Sequence, residues 1–147
     1  MAQDSRLTAL PTNLTLEIVT PDRSVVTERV DEVEIPGADG YFGALPGHTP
    51  LLAMLQVGEL WYRKGSEKVY LSIAFGFAEV LPDRVTILAQ LAERADEIDI
   101  ARAEAAKRRA EERIGRPAPE MDFERARIAM MKALIRLQVA SRARTRV

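Results

Sequence analysis

Hydrophobic and polar residues alternate along roughly the first two-thirds of the chain. The segment 14–20 alternates with a period of two and stops at Pro21-Asp22, which indicates a strand followed by a turn. The pattern recurs in short segments separated by turns rich in glycine and proline. The predicted strands are 14–20, 24–27, 30–35, 51–55, 59–63, 69–74, 77–80 and 85–89. Many short strands at this spacing are typical of an antiparallel sandwich or barrel.

The periodicity becomes helical from Asp96 onwards. Asp96 or Asp99 can cap a first helix, because a carboxylate accepts the backbone N–H groups left free in the first turn. Strong helix formers continue to Ile114, and the glycine and two prolines of 115–119 end the helix. Its apolar residues are mostly alanines, which bury little area, so we expect weak docking. A hairpin packed permanently on the β domain is the alternative.

A second helix is predicted from a cap at Asp122 to about Ser141. Its apolar residues recur at spacings of three and four, which defines one seam: Phe123, Ala126, Met130, Ala133, Leu137 and Ala140. The short connection implies that the two helices form an antiparallel hairpin. The predicted fold class is therefore α+β. Its parts are a flexible extension over 1–13, a β domain over 14–95, and a helical hairpin with a basic tail over 96–147.

Charge divides at the same boundary. Residues 1–96 hold eight Lys and Arg against 14 Asp and Glu, whereas residues 97–147 hold 13 against eight. The near-neutral total of −1 thus conceals an acidic body and a basic arm. The arm is suited to contact something acidic, whether the body, a partner protein or a polyphosphate. Nucleic acid is a poorer partner, because the arm's one aromatic residue, Phe123, lies on the apolar seam.

The residue inventory argues against an enzyme. The chain has one histidine and no cysteine, and it lacks a phosphate-binding glycine loop followed by lysine. No nucleophile with a neighbouring base and no metal-ligand spacing is present. The polar start of the chain does not resemble a signal peptide, and no apolar run approaches the roughly 20 residues that span a bilayer. We expect a soluble, non-catalytic protein that reaches membranes only through partners.

Three segments in this order carry a resemblance to the epsilon subunit of the bacterial F-type ATP synthase. They are GALPGHTPL at 43–51, GFAEV at 76–80 with VTILA at 85–89, and AERA at 92–95 leading into IDIARA at 98–103. The resemblance covers about Leu14 to Ser141. It implies a β-sandwich of about ten short strands followed by two helices, in agreement with the pattern above. Phe75 is a departure, because the family usually has glycine there.

The resemblance also implies a function. Epsilon subunits sit in the central stalk, on the cytoplasmic face of the membrane. There the sandwich contacts the gamma subunit and the c-ring and helps couple proton flow to ATP synthesis. Their mobile helices can extend into the alpha/beta catalytic head and inhibit ATP hydrolysis. A free-standing sandwich adaptor, whose basic hairpin binds an unrelated acidic protein, is the alternative.

The segment 98–103 fits the family's nucleotide motif of an aliphatic residue, Asp, two variable residues and Arg-Ala. Asp99 can accept from an adenine amino group or simply cap the helix, and Arg102 can donate two parallel hydrogen bonds to phosphate. Lys132 stands where ATP-binding members tend to carry arginine. By resemblance, the nucleotide contacts are Glu93, Asp99, Arg102, Ala103, Arg109, Lys132 and Arg136. No cofactor is required, and ATP is left open as a regulatory ligand.

The resemblance assigns three further contact regions. Asp39, Tyr41 and Phe42 lie where the family meets the c-ring, although both rings could simply cover the sandwich. His48 lies near the gamma contact, although a lone histidine in a turn is more often structural. The inhibitory basic surface comprises Arg125, Arg127, Lys132, Arg136 and Arg142, with Arg144 and Arg146 in the tail. A solvated helix face is the alternative for these cations.

Overall fold

Seven strands precede two helices in the part of the chain that the computed structural model describes, residues 10–116, 118–119 and 122–144. The strands are β1 (Leu14–Val19), β2 (Ser24–Val30), β3 (Glu32–Gly37), β4 (Gly40–Ala44), β5 (Leu51–Lys64), β6 (Glu67–Val80) and β7 (Arg84–Arg94). A 3₁₀ turn (Ala95–Glu97) leads into α1 (Ile100–Gly115) and α2 (Phe123–Arg144). The predicted α+β class is confirmed. Most of the predicted extension over 1–13, Arg146 and the side chain of Arg144 lie outside the described residues.

The strands form one sheet in the order β2-β1-β7-β6-β5-β3-β4. Every neighbouring pair is antiparallel except β1 and β7, which run parallel from Thr15–Arg84 to Val19–Leu88. The expectation of a wholly antiparallel sheet is therefore wrong at this pair. Parallel strands need a long connection, and the chain from β2 to β6 supplies it. Side chains from β1 through β7 meet in one apolar core.

Seven strands are described, fewer than the ten that the resemblance implies. Two pairs of the eight segments predicted from the pattern merge into long strands, and β4 lies where no strand was predicted. The segments 51–55 and 59–63 form the single 14-residue strand β5, and 69–74 and 77–80 belong to β6. Gly58 stays in register opposite Ile73 and makes no turn. A Cβ atom at Gly58 would lie 2.6 Å from the Cβ of Pro36, so this glycine permits a close approach between strands.

The long strand β6 bends at Phe75 and Gly76. Both residues have positive φ angles, 59° and 120°. A Cβ atom at Gly76 would strike the carbonyl oxygen of Leu88 and would lie 2.9 Å from the Cα of Ala89. Ile73 faces the core before the bend and Ala78 after it, so the inward side of the strand changes there. Opposite ends of β6 thus present different outer faces.

The helical hairpin packs against one of these outer faces of the sheet. Asp99 caps α1, since its Oδ1 accepts from the backbone N of Arg102 at 3.1 Å, and Asp96 belongs to the preceding 3₁₀ turn instead. Asp122 caps α2 in the same way, as predicted. The buried hairpin side chains are mostly small, namely Ala103, Ala110, Ala126, Ala133, Val139 and Ala140. Phe123 follows the predicted seam by spacing but is 53% exposed at the free end of the hairpin.

Candidate functional site

The 3₁₀ turn before α1 is tied to the sandwich. Arg23 Nη2 donates to Glu97 Oε2 at 2.7 Å, and Arg94 Nη2 donates to the carbonyl of Val25 at 3.2 Å. The hydrogen bond from Arg23 holds the pKa of the Glu97 carboxyl below its usual range and raises the pKa of Arg23. The 3₁₀ turn up to Glu97 is therefore bonded to the sandwich, and the helices of the hairpin begin after it.

Two predicted nucleotide contacts bind each other. Arg136 on α2 places Nε 2.8 Å from Glu93 Oε1 and donates from Nη2 to Oε2 at 3.2 Å. Both side chains are partly buried, which strengthens such a pair relative to an exposed one. Lys132 lies one turn earlier, with Nζ 5.7 Å from the centre of the Phe75 ring. Glu93, Lys132 and Arg136 thus line one small recess under α2.

The other predicted nucleotide residues lie on α1 and make different contacts. Asp99 is the helix cap, and Ala103 is fully buried. Arg102 and Arg109 are exposed. The structure therefore brings together the β7 and α2 members of the predicted set, whereas the α1 members begin the helix, pack or face solvent.

Two side chains in the last turns of α2 bind a carboxylate of β5 that the sequence pattern does not single out. Glu59 on β5 is only 7% exposed. Its Oε1 accepts from Arg142 Nη2 at 3.1 Å, and its Oε2 accepts from Arg142 Nε at 3.3 Å and from Gln138 Nε2 at 3.4 Å. The hydrogen bonds that Arg142 donates to Glu59 raise the pKa of Arg142. Alternation places Glu59 on the outer side of the sheet, so nothing in the sequence signals its burial.

The predicted basic surface of α2 divides into two parts. Arg125 and Arg127 near the start of the helix are exposed, and Arg127 Nε donates to Glu124 Oε2 at 3.1 Å. Lys132, Arg136 and Arg142 turn toward the sandwich instead. In this docked arrangement the second group is therefore occupied by partners within the chain.

The residues predicted to meet other subunits have mixed roles. Of Asp39, Tyr41 and Phe42 only Asp39 lies outside a strand, since the other two belong to β4 and pair with β3. Asp39 is exposed, whereas Phe42 is partly buried against the core. Tyr41 is 50% exposed, and its hydroxyl accepts from the backbone N of Glu59 at 3.1 Å. His48 Nδ1 lies 2.6 Å from the carbonyl oxygen of Thr49, and its own loop is bound to the β6–β7 turn by Gly47 N donating to Pro82 O at 2.8 Å.

An apolar strip crosses the uncovered outer face of β5, β6 and β7. Met54 pairs with Phe77, and Phe77 pairs with Leu88, so the three side chains form a row. They are 63%, 51% and 54% exposed, and Leu52 beside them is 72% exposed. We call Leu52, Met54, Phe77 and Leu88 the apolar strip. Contiguous exposed apolar residues of this kind mark interaction surfaces.

Comparison with known protein families shows which family this chain belongs to. The family described as "ATP synthase, Delta/Epsilon chain, beta-sandwich domain" matches residues 13–95, and "ATP synthase, Delta/Epsilon chain, long alpha-helix domain" matches residues 96–141. The chain belongs to the ATP synthase delta/epsilon family. The resemblance to epsilon subunits predicted from the sequence is thereby confirmed, and so is the β-sandwich.

Relatives in this family match over most of their length. The chain is 50% identical over 130 residues to the ATP synthase epsilon chain 2 of Syntrophotalea carbinolica. The aligned residues make up 88% of this chain and 94% of that relative. It is 51% identical over 127 residues to the ATP synthase epsilon chain of Syntrophobacter fumaroxidans, with 86% and 95% covered. This delta/epsilon chain is therefore a subunit of an ATP synthase.

A solved assembly contains the same fold. A chain of the OSCP/F1/c-ring part of the Euglena gracilis mitochondrial ATP synthase superposes with a TM-score of 0.76, at 24% identity, over 92% of this chain and 83% of that one. Within the described residues, neither helix of the delta/epsilon chain is long and apolar enough to cross a bilayer. The same residues hold no cluster of acidic, histidine or cysteine side chains that could bind a metal ion.

Proposed function

We propose that this chain is a rotor subunit of the central stalk that couples proton flow to ATP synthesis and restrains ATP hydrolysis, without a catalytic centre of its own. The observation that carries the proposal is the division of the molecule into two parts. A sandwich with one large core leaves an apolar strip open, while a basic hairpin rests on another face through two ion pairs and a small apolar cluster of Ile98, Val139 and Ala140. The first part suits permanent attachment, and the second suits reversible movement.

The apolar strip is the proposed attachment to the gamma subunit. Hot spots of stable interfaces cluster in fully desolvated positions near the centre of the contact, and Met54 and Phe77 occupy the middle of the strip. The proposed contact with the c-ring is Asp39 together with Tyr41 and Phe42 at the start of β4, and the loop at His48 is the proposed neighbour of the gamma contact. The proposed location is peripheral, on the cytoplasmic face of the membrane, within the assembled complex.

Met54→Asp and Phe77→Asp should each weaken binding of the full chain to isolated gamma subunit by about 2 kcal/mol or more, because a charge must be buried in the contact. Calorimetric titration measures the loss. Thr27→Asp adds the same charge at an exposed position on β2 and should bind like the parent chain. Failure of the parent chain to bind gamma at all would favour the adaptor alternative, and full binding by both strip variants would remove the strip from the interface.

ATP as a regulatory ligand is a second proposal, supported by the recess that joins Glu93, Lys132 and Arg136. A phosphate group entering it must displace Glu93 from Arg136, so binding competes with an internal ion pair. We expect millimolar ATP to shift the amide resonances around Arg102 and Arg136. A dissociation constant of 1 mM corresponds to a binding free energy of about −4 kcal/mol. Unchanged spectra at millimolar ATP would therefore remove ATP as a ligand of the isolated chain.

A further inference from the structure

Glu59 is the one charged residue that is buried within the described part of the chain. It lies on the outer side of β5, away from the core, and α2 alone covers its carboxylate with hydrogen-bond donors: Gln138 and Arg142 supply all three of the contacts described above. Burial of a carboxylate is costly unless it is paired and hydrogen-bonded. The docked position of α2 is therefore the arrangement that satisfies Glu59.

The surroundings make this contact the specific element of the docking. Arg142 also lies over the ring of Tyr70, with its guanidinium carbon 4.9 Å from the ring centre. The neighbouring buried apolar cluster is small and consists of Ile98, Val139 and Ala140. Apolar contact of that size favours packing without fixing a position, whereas a two-pronged arginine–carboxylate pair requires one register of α2 on the sheet.

We propose that Glu59, Gln138 and Arg142 form a clasp that sets how often α2 leaves the sandwich. Undocking returns the Glu59 carboxylate to water, and the Arg142 side chain is already 43% exposed when docked, so hydration offsets much of the lost attraction and the clasp opens with little net cost. Removing the charge of Arg142 is different, because it leaves the Glu59 carboxylate, only 7% exposed, without this cationic partner in the docked state. The clasp is separate from the Glu93–Arg136 pair, which lies nearer the middle of the helix.

Hydrogen exchange of the full chain, followed by mass spectrometry, tests the clasp directly. Arg142→Gln should accelerate exchange of the amides at 135–143 by about tenfold, because it leaves the buried Glu59 carboxylate without this cation in the docked state. Glu59→Gln should accelerate it by about threefold, because it removes the carboxylate that accepts from Arg142 and Gln138. The core amides at 71–74 in β6 report whether the sandwich itself stays folded. Lys107→Gln is the matched control, since it breaks only the α1 surface pair of Lys107 and Glu111.

A paired replacement separates the clasp from a general loss of polar contacts. Glu59→Met with Arg142→Met removes both charges and leaves two apolar side chains of suitable length to pack. We expect the amides at 135–143 of this double variant to exchange no faster than those of either single variant, and at a rate close to that of the parent chain. Single variants that exchange within twofold of the parent would overturn the clasp, as would a double variant that exchanges faster than either single variant.

The clasp also has a consequence for the regulation of ATP hydrolysis, and this consequence rests on the proposed function. A second measurement, the hydrolysis rate, distinguishes failure of the clasp from failure of the proposed function. Glu59→Gln alters the sandwich and leaves every cation of α2 intact, so an ATP synthase assembled with it should hydrolyse ATP more slowly than one with the parent chain. Faster exchange without slower hydrolysis supports the clasp and contradicts the inhibitory role of α2. Unchanged exchange contradicts the clasp whatever the hydrolysis rate.

Discussion

Removing residues 99–147 should raise the rate of ATP hydrolysis by an ATP synthase assembled with this chain, while the chain still binds gamma. The removed segment carries 13 of the chain's 21 basic residues and both helices that are proposed to enter the catalytic head. The cut belongs after Ile98 because Glu97 is bound to Arg23 and the turn before it belongs to the sandwich. Steady-state hydrolysis of the assembled enzyme and a gamma-binding assay measure the two effects.

A shorter deletion localises the effect. Ending the chain at residue 116 removes α2 and keeps α1, and it should relieve inhibition as fully as the larger deletion, because the proposed inhibitory cations lie on α2. If the chain ending at residue 98 still inhibits like the full chain, the hairpin is not the inhibitor. If it no longer binds gamma, attachment and inhibition are not divided between sandwich and hairpin.

Gly76→Ala should lower the free energy of unfolding by about 3 kcal/mol or more, because strain at a positive φ angle adds to a clash with backbone atoms. The added Cβ would meet the carbonyl of Leu88 and the Cα of Ala89, and neither can move without disturbing β7. Urea unfolding followed by circular dichroism measures the change. Gly115→Ala is the matched control, since nothing lies within 4 Å of its added Cβ, and it should be neutral or slightly stabilising. Equal stability of the two variants would contradict the described bend.

The alternation of residues predicts where strands occur better than how long they are. Gly58 and Gly76 look like breaks in the sequence, yet both lie inside strands, because a missing side chain serves close approach and bending as well as turns. The parallel pairing of β1 with β7 joins residues some 70 positions apart, and no local pattern encodes it. The caps at Asp99 and Asp122 are local, and they follow from the sequence alone.

The candidate site follows the same division. The spacing of Lys132 and Arg136 places them on one side of α2, and resemblance brings Glu93 into their neighbourhood, but their direct pairing is a tertiary contact. Glu59 is invisible to pattern reasoning because an outward position on a strand predicts exposure, and only the docked α2 buries it. Polar residues that become buried between two domains are the ones that periodicity within either domain misses.

A reversible tether between α2 and the sandwich tests the movement of the hairpin most directly. The chain has no cysteine, so Glu59→Cys with Gln138→Cys introduces its only two thiols, at positions whose parent side chains lie 3.4 Å apart. A reducible cross-linker would join them in the assembled enzyme. We predict that the joined form hydrolyses ATP as fast as an enzyme whose chain ends at residue 98, and that reduction restores inhibition. Equal hydrolysis rates before and after reduction would contradict the account.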